Sequence, residues 1–196
     1  FQTHVVNAAM AIKSEALVSQ SLKDETDPDE FAEKMYSLLM EYHGMATMHF
    51  TGDECFAGSS PIHGTELCSV AEAMYSYEKL FEVTGKTKWL DRLENLAFNA
   101  FPAANSEDMW THQYVQMTNQ IECSRFKNRP IFYTNGPEAN LFGLEPNYGC
   151  CTANFNQAWP KFALSIFAHN DKGIYSAAIA PAKLNTRING VNVSIE

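Results

Sequence analysis

The sequence predicts a mostly α-helical chain that gives way to β structure near residue 168. Two features carry the helical part. Leu67, Val70, Met74, Tyr77 and Phe81 recur at spacings of 3, 4, 3 and 4 residues, the period of one buried helix face, and the run ends at Gly85, a helix-terminating residue. Trp89, Leu90, Leu93, Leu96, Ala97 and Ala100 continue with helical spacing. The β part rests on the tail "GIYSAAIAPAKLNTRINGVNVSIE", which alternates β-branched and polar residues about an Asn189-Gly190 pair, a strong hairpin signal.

From the N-terminus, residues 4–20 are Ala-rich, with Val5, Ala8, Ala9, Ile12 and Ala16 on one face, and predict a single helix. Residues 23–28 form a polar break. Pro28 then suits the first turn of a second helix carrying Phe31, Met35, Leu38, Leu39 and Tyr42. Residues 43–64 hold Gly, Pro and His without a period and read as a long loop, a common place for function. The runs 67–84 and 87–101 then form an αα-hairpin, with Thr87 as cap of the second helix and Pro102 as its stop. Residues 102–150 are rich in aromatics, Asn, Gly and Pro. A last helix starts after Gly149 and reaches about Phe167, interrupted or kinked at Pro160.

Composition narrows the function classes. At 196 residues, 45% hydrophobic and 19% charged, the chain suits a folded protein. A net charge of −9 with scattered Lys and Arg argues against nucleic acid and anionic membrane surfaces as partners. No stretch has the length of a membrane span, and no signal-peptide pattern opens the chain. The first residue is Phe1 rather than Met, so a missing start is expected and export is left open. The five cysteines, at 55, 68, 123, 150 and 151, do not form a disulfide framework. Reduced thiols favour an intracellular setting.

The chemistry concentrates in a few places. Adjacent Cys150 and Cys151 are strained partners for each other. With Glu66 and Cys68 they make four donors of the kinds zinc accepts, against which buried free thiols compete on equal terms. Inside a regular helix Glu66 and Cys68 would point roughly 200° apart, so a shared metal requires Thr65 or Glu66 to be non-helical. Cys150 and Cys151 open a helix, where the dipole lowers a thiol pKa. "FTGDECFAG" places Asp53 and Glu54 in a Gly-bounded loop, and on its own reads as a solvated acidic turn. The histidines His4, His43, His49 and His63 are individually more typical of surface or core positions. "MWTHQYVQMTNQ" gathers Trp110, His112, Gln113, Tyr114, Gln116 and Asn119, a mixture of aromatics and amides that suits sugars or any polar cleft.

"GDECFAG", "GTELCSVAEAMYSYEKLFEVTGKTKWLDRLENLAFNAFPA" and "YGCCTANFNQAWPKF", in this order, resemble the β-L-arabinofuranosidases of glycoside hydrolase family 127. The resemblance implies an (α/α)6 barrel followed by β-sandwich domains. Residues 1–168 would then be the C-terminal part of such a barrel, and residues 169–196 the beginning of a sandwich. Twelve helices of ~10–14 residues are needed for a whole barrel, and about five or six can be counted, so the chain reads as a fragment. Its uncovered helix faces predict self-association into a homo-oligomer.

The resemblance also implies roles. Glu66, Cys68, Cys150 and Cys151 would hold zinc, Cys150 would be the nucleophile of a retaining double displacement, and Glu54 the general acid/base. His4 and Tyr114 would lie near the sugar. The substrate expected is an L-arabinofuranoside or related plant glycan. A non-catalytic zinc-thiolate or carbohydrate-binding helical module is the alternative, and a redox module is disfavoured by the lack of Cys-x-x-Cys and of a βαβ pattern.

Overall fold

The computed structural model describes residues 4–22, 27–125, 136–143 and 148–196. The expected polar break at residues 23–26 and Asn147 of the double-cysteine motif lie outside them. About half of the described residues are helical, with small sheets beside them. In order, the elements are α1 (Val5–Ala11), α2 (Ser14–Leu22), α3 (Pro28–His43), strands β1 (Gly52–Asp53), β2 (Cys55–Phe56) and β3 (Thr65–Glu66), α4 (Leu67–Thr84), α5 (Lys88–Asn95), a π-helical turn (Leu96–Ala100) and α6 (Phe101–Ala103). Then come β4 (Val115–Gln116), α7 (Gly149–Leu164), and the strands β5 (Phe167–Asn170), β6 (Gly173–Ser176), β7 (Leu184–Ile188) and β8 (Val191–Ile195).

Helix α4 is the spine. Its face of Leu67, Val70, Met74 and Tyr77 is fully buried, because the 3–4 spacing puts these side chains on one stripe, and α1, α5 and α7 pack around it. Gly85 ends the helix in the left-handed conformation at φ +65°, its N–H reaching Phe81 O. No helix among the described residues is long and apolar enough to cross a membrane.

Five local expectations change. The 4–20 run is two helices, because Lys13 turns inward at the break. Its ammonium donates to Met10 O and to Ser76 Oγ on α4, and Ser76 Oγ donates to Ala9 O. Thr87 supplies no side-chain cap; the Thr84 hydroxyl instead accepts the Lys86 N–H at 3.2 Å. The helical run after α5 continues past Pro102, since a π turn shifts the bonding so that the Phe101 N–H meets Leu96 O. Helix α7 runs through Pro160 to Leu164, with Ala158 and Phe162 buried on either side of the proline. In α3, Ala32 and Leu39 are buried while Leu38 and Tyr42 are exposed.

The tail forms two antiparallel hairpins, β5–β6 and β7–β8. The second turns at Asn189 (φ +49°) and Gly190 (φ +83°), the paired positive φ values of the tight hairpin turn that Asn-Gly favours. A four-stranded sheet of two-residue strands, ordered β2-β1-β3-β4, gathers the loops at the start of α4. Gly52 permits it: a Cβ there would stand 2.6 Å from Val5 Cβ.

A polar and aromatic network ties α3 to α5. Asp29 accepts Trp89 Nε1–H at 2.7 Å and Lys88 Nζ at 2.6 Å. Arg92 makes a two-armed bond to Glu33 and stacks over the Tyr36 ring at 3.6 Å. Asp29→Ala leaves the Trp89 N–H buried without its acceptor, and an unfolding titration in urea should show a loss of about 2–3 kcal/mol. The Arg92 hydrogen bonds hold the Glu33 carboxyl down at about 2. A carboxyl with a depressed folded-state pKa adds stability above its unfolded value of 4.5 and loses it as pH falls toward 2. The urea midpoint of the wild type should therefore fall more steeply over that window than that of Glu33→Gln; parallel curves would dismiss the pairing as a source of stability.

Candidate active site

The sheet sets the geometry. Strands β1 and β2 pair antiparallel with Asp53 opposite Cys55, so Glu54 is the single residue at their turn, at φ +70°. That left-handed backbone costs a non-glycine residue about 1 kcal/mol or more. The Glu54 N–H donates to Glu66 Oε2 at 3.2 Å, and a bond to a carboxylate contributes about 1.5–3 kcal/mol, enough to offset the strain. The Glu54 carbonyl accepts the Val5 N–H at 2.9 Å.

The Glu54 carboxylate is about half exposed and bracketed by two residues. His4 caps α1, where its Nδ1 accepts the Asn7 N–H at 3.3 Å. The ring proton then sits on Nε2, which donates to Glu54 Oε2 at 3.1 Å. The Tyr114 hydroxyl donates to Oε1 at 3.3 Å. Tyr114 is itself buried; it stands just before β4, and its carbonyl accepts the Leu67 N–H.

Glu66 lies at the strand-to-helix junction. Its backbone is extended (φ −69°, ψ 134°), so it is free of the helical direction of Cys68 two residues on. One donor atom from each of Glu66, Cys68, Cys150 and Cys151 lies within 4.8 Å of all the others. Cys68 is in the first turn of α4, and Cys150 and Cys151 are in the first turn of α7. Two helix N-termini therefore meet at the cluster, and their dipoles favour negative charge there. Cys68 Sγ and Cys151 Sγ are 3.2 Å apart, in contact without a covalent bond, and none of the five cysteines forms a disulfide.

The electrostatics of the four donors run one way. The contact with Cys151, then burial, drives the Cys68 thiol far up. Burial, then the neighbouring Cys68, pushes Cys150 up to about 11. The bond with Cys68 draws Cys151 down, but burial and the charges of Cys150 and Glu66 outweigh it and leave the thiol raised. Burial raises Glu66. Four groups that resist ionising together, three of them sulfurs, form a donor set that a borderline-soft divalent cation relieves by supplying the opposite charge. The residues thus fit a metal ion. Cys68 and Cys151 are buried, whereas Cys150 is exposed.

The remaining residues singled out in the sequence divide. His43 stacks on Phe56 and accepts the Gly58 N–H. His49 is wholly buried, bonded to Ser69 and pushed down to about 3 by burial. Gln113 and Gln116 are buried and bond the carbonyls of Asn140 and Ala100, while Trp110 is 70% exposed. Cys55 and Cys123 stand outside the four-donor group. Supporting residues not read from the sequence are Tyr148, stacked on Tyr114 with ring centroids 4.0 Å apart, and Thr152, whose hydroxyl pairs with His112 Nε2 at 3.0 Å. Their signal was position, flanking the double cysteine on either side.

Comparison with known proteins places this geometry. No curated protein sequence matches the chain. The fold is similar to the crystal structure of a GH127 beta-L-arabinofuranosidase from Geobacillus stearothermophilus T6, with a TM-score of 0.74 and 14% sequence identity. The match covers 97% of this chain and 30% of that one; at such identity it is a likeness of fold. The family model described as "Beta-L-arabinofuranosidase, GH127 catalytic domain" matches residues 33–164, a span that holds Glu54, Glu66, Cys68, Tyr114, Cys150 and Cys151 and leaves out His4. With that match over more than half its length, the chain belongs to the GH127 β-L-arabinofuranosidase catalytic-domain family of glycoside hydrolases.

Proposed function

We propose that the chain carries the catalytic residues of a retaining glycoside hydrolase that removes a terminal β-L-arabinofuranosyl unit, or a closely related sugar, from a plant-derived glycan. The observation that carries this reading is the meeting of two groups at the end of the small sheet where the parallel strands β1 and β3 finish. An exposed cysteine, Cys150, belongs to a four-donor cluster, and a half-exposed glutamate, Glu54, is bonded to that cluster through Glu66.

In the first step the Cys150 sulfur attacks the anomeric carbon. The glycosidic C–O bond breaks with its electron pair on the leaving oxygen, which takes the proton of Glu54. In the second step water attacks the same carbon and gives a proton to the Glu54 carboxylate, and the C–S bond returns its pair to sulfur. His4 and Tyr114 hold the Glu54 carboxylate from either side and lie where they would also border the sugar. Glu66, Cys68, Cys150 and Cys151 would hold zinc, which when bound keeps the thiols ionised at neutral pH. The cysteines without disulfides suit a reducing compartment.

We read residues 1–168 as the C-terminal part of an (α/α)6 barrel and residues 169–196 as the beginning of a β-sandwich, since helices end at Leu164 and only hairpins follow among the described residues. Exposed Leu17, Val18 and Leu22 on α2, with Leu38 and Tyr42 on α3, suit contact with further helices or with a second copy.

In a protein long enough to complete the barrel, p-nitrophenol release from a β-L-arabinofuranoside should fall about 10²–10⁴-fold in Glu54→Gln and to background in Cys150→Ala. Near-normal turnover in either removes that residue from the mechanism. Elemental analysis of the desalted protein should find one zinc per chain, lost in Cys68→Ser and Cys151→Ser. Zinc without turnover in the longer protein would instead mark a non-catalytic binding module.

A further inference from the structure

We propose that Glu66 is the positioning residue for Glu54, so that a divalent metal in the Glu66–Cys68–Cys150–Cys151 cluster sets the backbone that aims the Glu54 carboxyl; the inference rests on the catalytic reading of Glu54 given above. The Glu66 side chain belongs to two systems at once. Its carboxylate is part of the four-donor group, and its Oε2 accepts the Glu54 N–H at 3.2 Å. Glu66 is 2% exposed, and its Glu54 partner stands in a conformation that a side-chain-bearing residue rarely adopts. Such a conformation persists where the surroundings over-determine it.

Several contacts hold Glu54, and they act on different atoms. Val5 engages the carbonyl, while His4 and Tyr114 engage the carboxylate. The Glu66 bond acts on the amide, and so on φ itself. A second connection runs from the other end of the residue. Tyr114, bonded to Glu54 Oε1, stacks on Tyr148, and the Tyr148 carbonyl accepts the Cys151 N–H at 3.0 Å. The amide and the carboxylate of Glu54 are therefore both referred back to the cluster. Ligation would confine the Glu66 side chain to one rotamer and so keep Oε2 on the Glu54 amide. Removing the metal releases that restraint, and the turn at Glu54 loosens while the distant hairpins are unaffected.

Amide hydrogen exchange followed by NMR on the 196-residue chain, zinc-loaded and metal-stripped at one pH, tests this without any turnover. Zinc should slow exchange of the Glu54 amide at least about tenfold, a change of about 1.4 kcal/mol in opening free energy, and leave the Thr186 and Val193 amides of the β7–β8 hairpin unchanged. Glu66→Ala, loaded with zinc through its three cysteines, should exchange Glu54 at the metal-free rate. Zinc uptake with unchanged Glu54 exchange overturns the coupling, as does wild-type protection in Glu66→Ala. Where Glu66→Ala does not fold, seen as loss of hairpin protection, the wild-type pair decides alone. Failure to take up zinc overturns the metal centre and the coupling together, while the p-nitrophenol assay judges the catalytic roles separately.

Discussion

The strand-to-helix junction at Glu66 is the constraint on which the site depends. Had the helix begun one turn earlier, Glu66 and Cys68 would point to different sides of it, and the four-donor group could not form. The extended backbone at Glu66 is secured by sheet pairing rather than by a helix cap. Glu66 lies opposite Val115 in β4, and no side-chain cap closes the helix start. The same pairing explains why Tyr114 arrives beside Glu54, since Tyr114 precedes β4 and accepts the first amide of α4. A sheet of two-residue strands thus does for the site what a longer sheet does for a core: it fixes register between segments far apart in sequence.

The surrounding helices make that junction rigid. Helix α4 is buried along the stripe that meets α1, α5 and α7, and both α4 and α7 present their N-terminal turns to the same point. Small residues allow the approach: Gly52 passes Val5 where any side chain would collide. Burial that stabilises the helices also removes water from three of the four donors, which raises Glu66 and Cys151 and adds to the Cys151 contact in raising Cys68. Packing and chemistry are one constraint here, because a looser core would hydrate the sulfurs and weaken their demand for a cation.

Much of this was legible in the sequence, and the limits have physical causes. The α4 stripe, the Gly85 terminator and the Asn189-Gly190 turn follow from local rules, and the structure places each as expected. The break at Lys13 was not legible, because one of the two bonds that draw its ammonium inward goes to Ser76, 63 residues away. The run through Pro102 depends on a π turn whose bonding no periodicity announces. The candidate site residues came from resemblance of motifs; spacing alone left metal and core readings of the cysteines level. What the sequence could not convey is the Glu54 N–H bond to Glu66, since neither residue type implies it and the left-handed turn at Glu54 carries no glycine to signal it.

The two neighbouring cysteines show how the fold gives different surroundings to two residues that stand side by side in the sequence. Successive residues of a helix point about 100° apart, so a helix packed on one side can bury one of them and present the other. Cys151 faces the core and touches Cys68, while Cys150 is exposed. Both sulfurs still reach the same cluster, because they sit in the first turn, where the helix end is open to the approaching strand. A buried sulfur can serve a metal and nothing else, whereas an exposed one can also be reached from outside. A double cysteine at a helix start supplies both within one residue step, because both sulfurs stay in the first turn while one is buried and the other exposed.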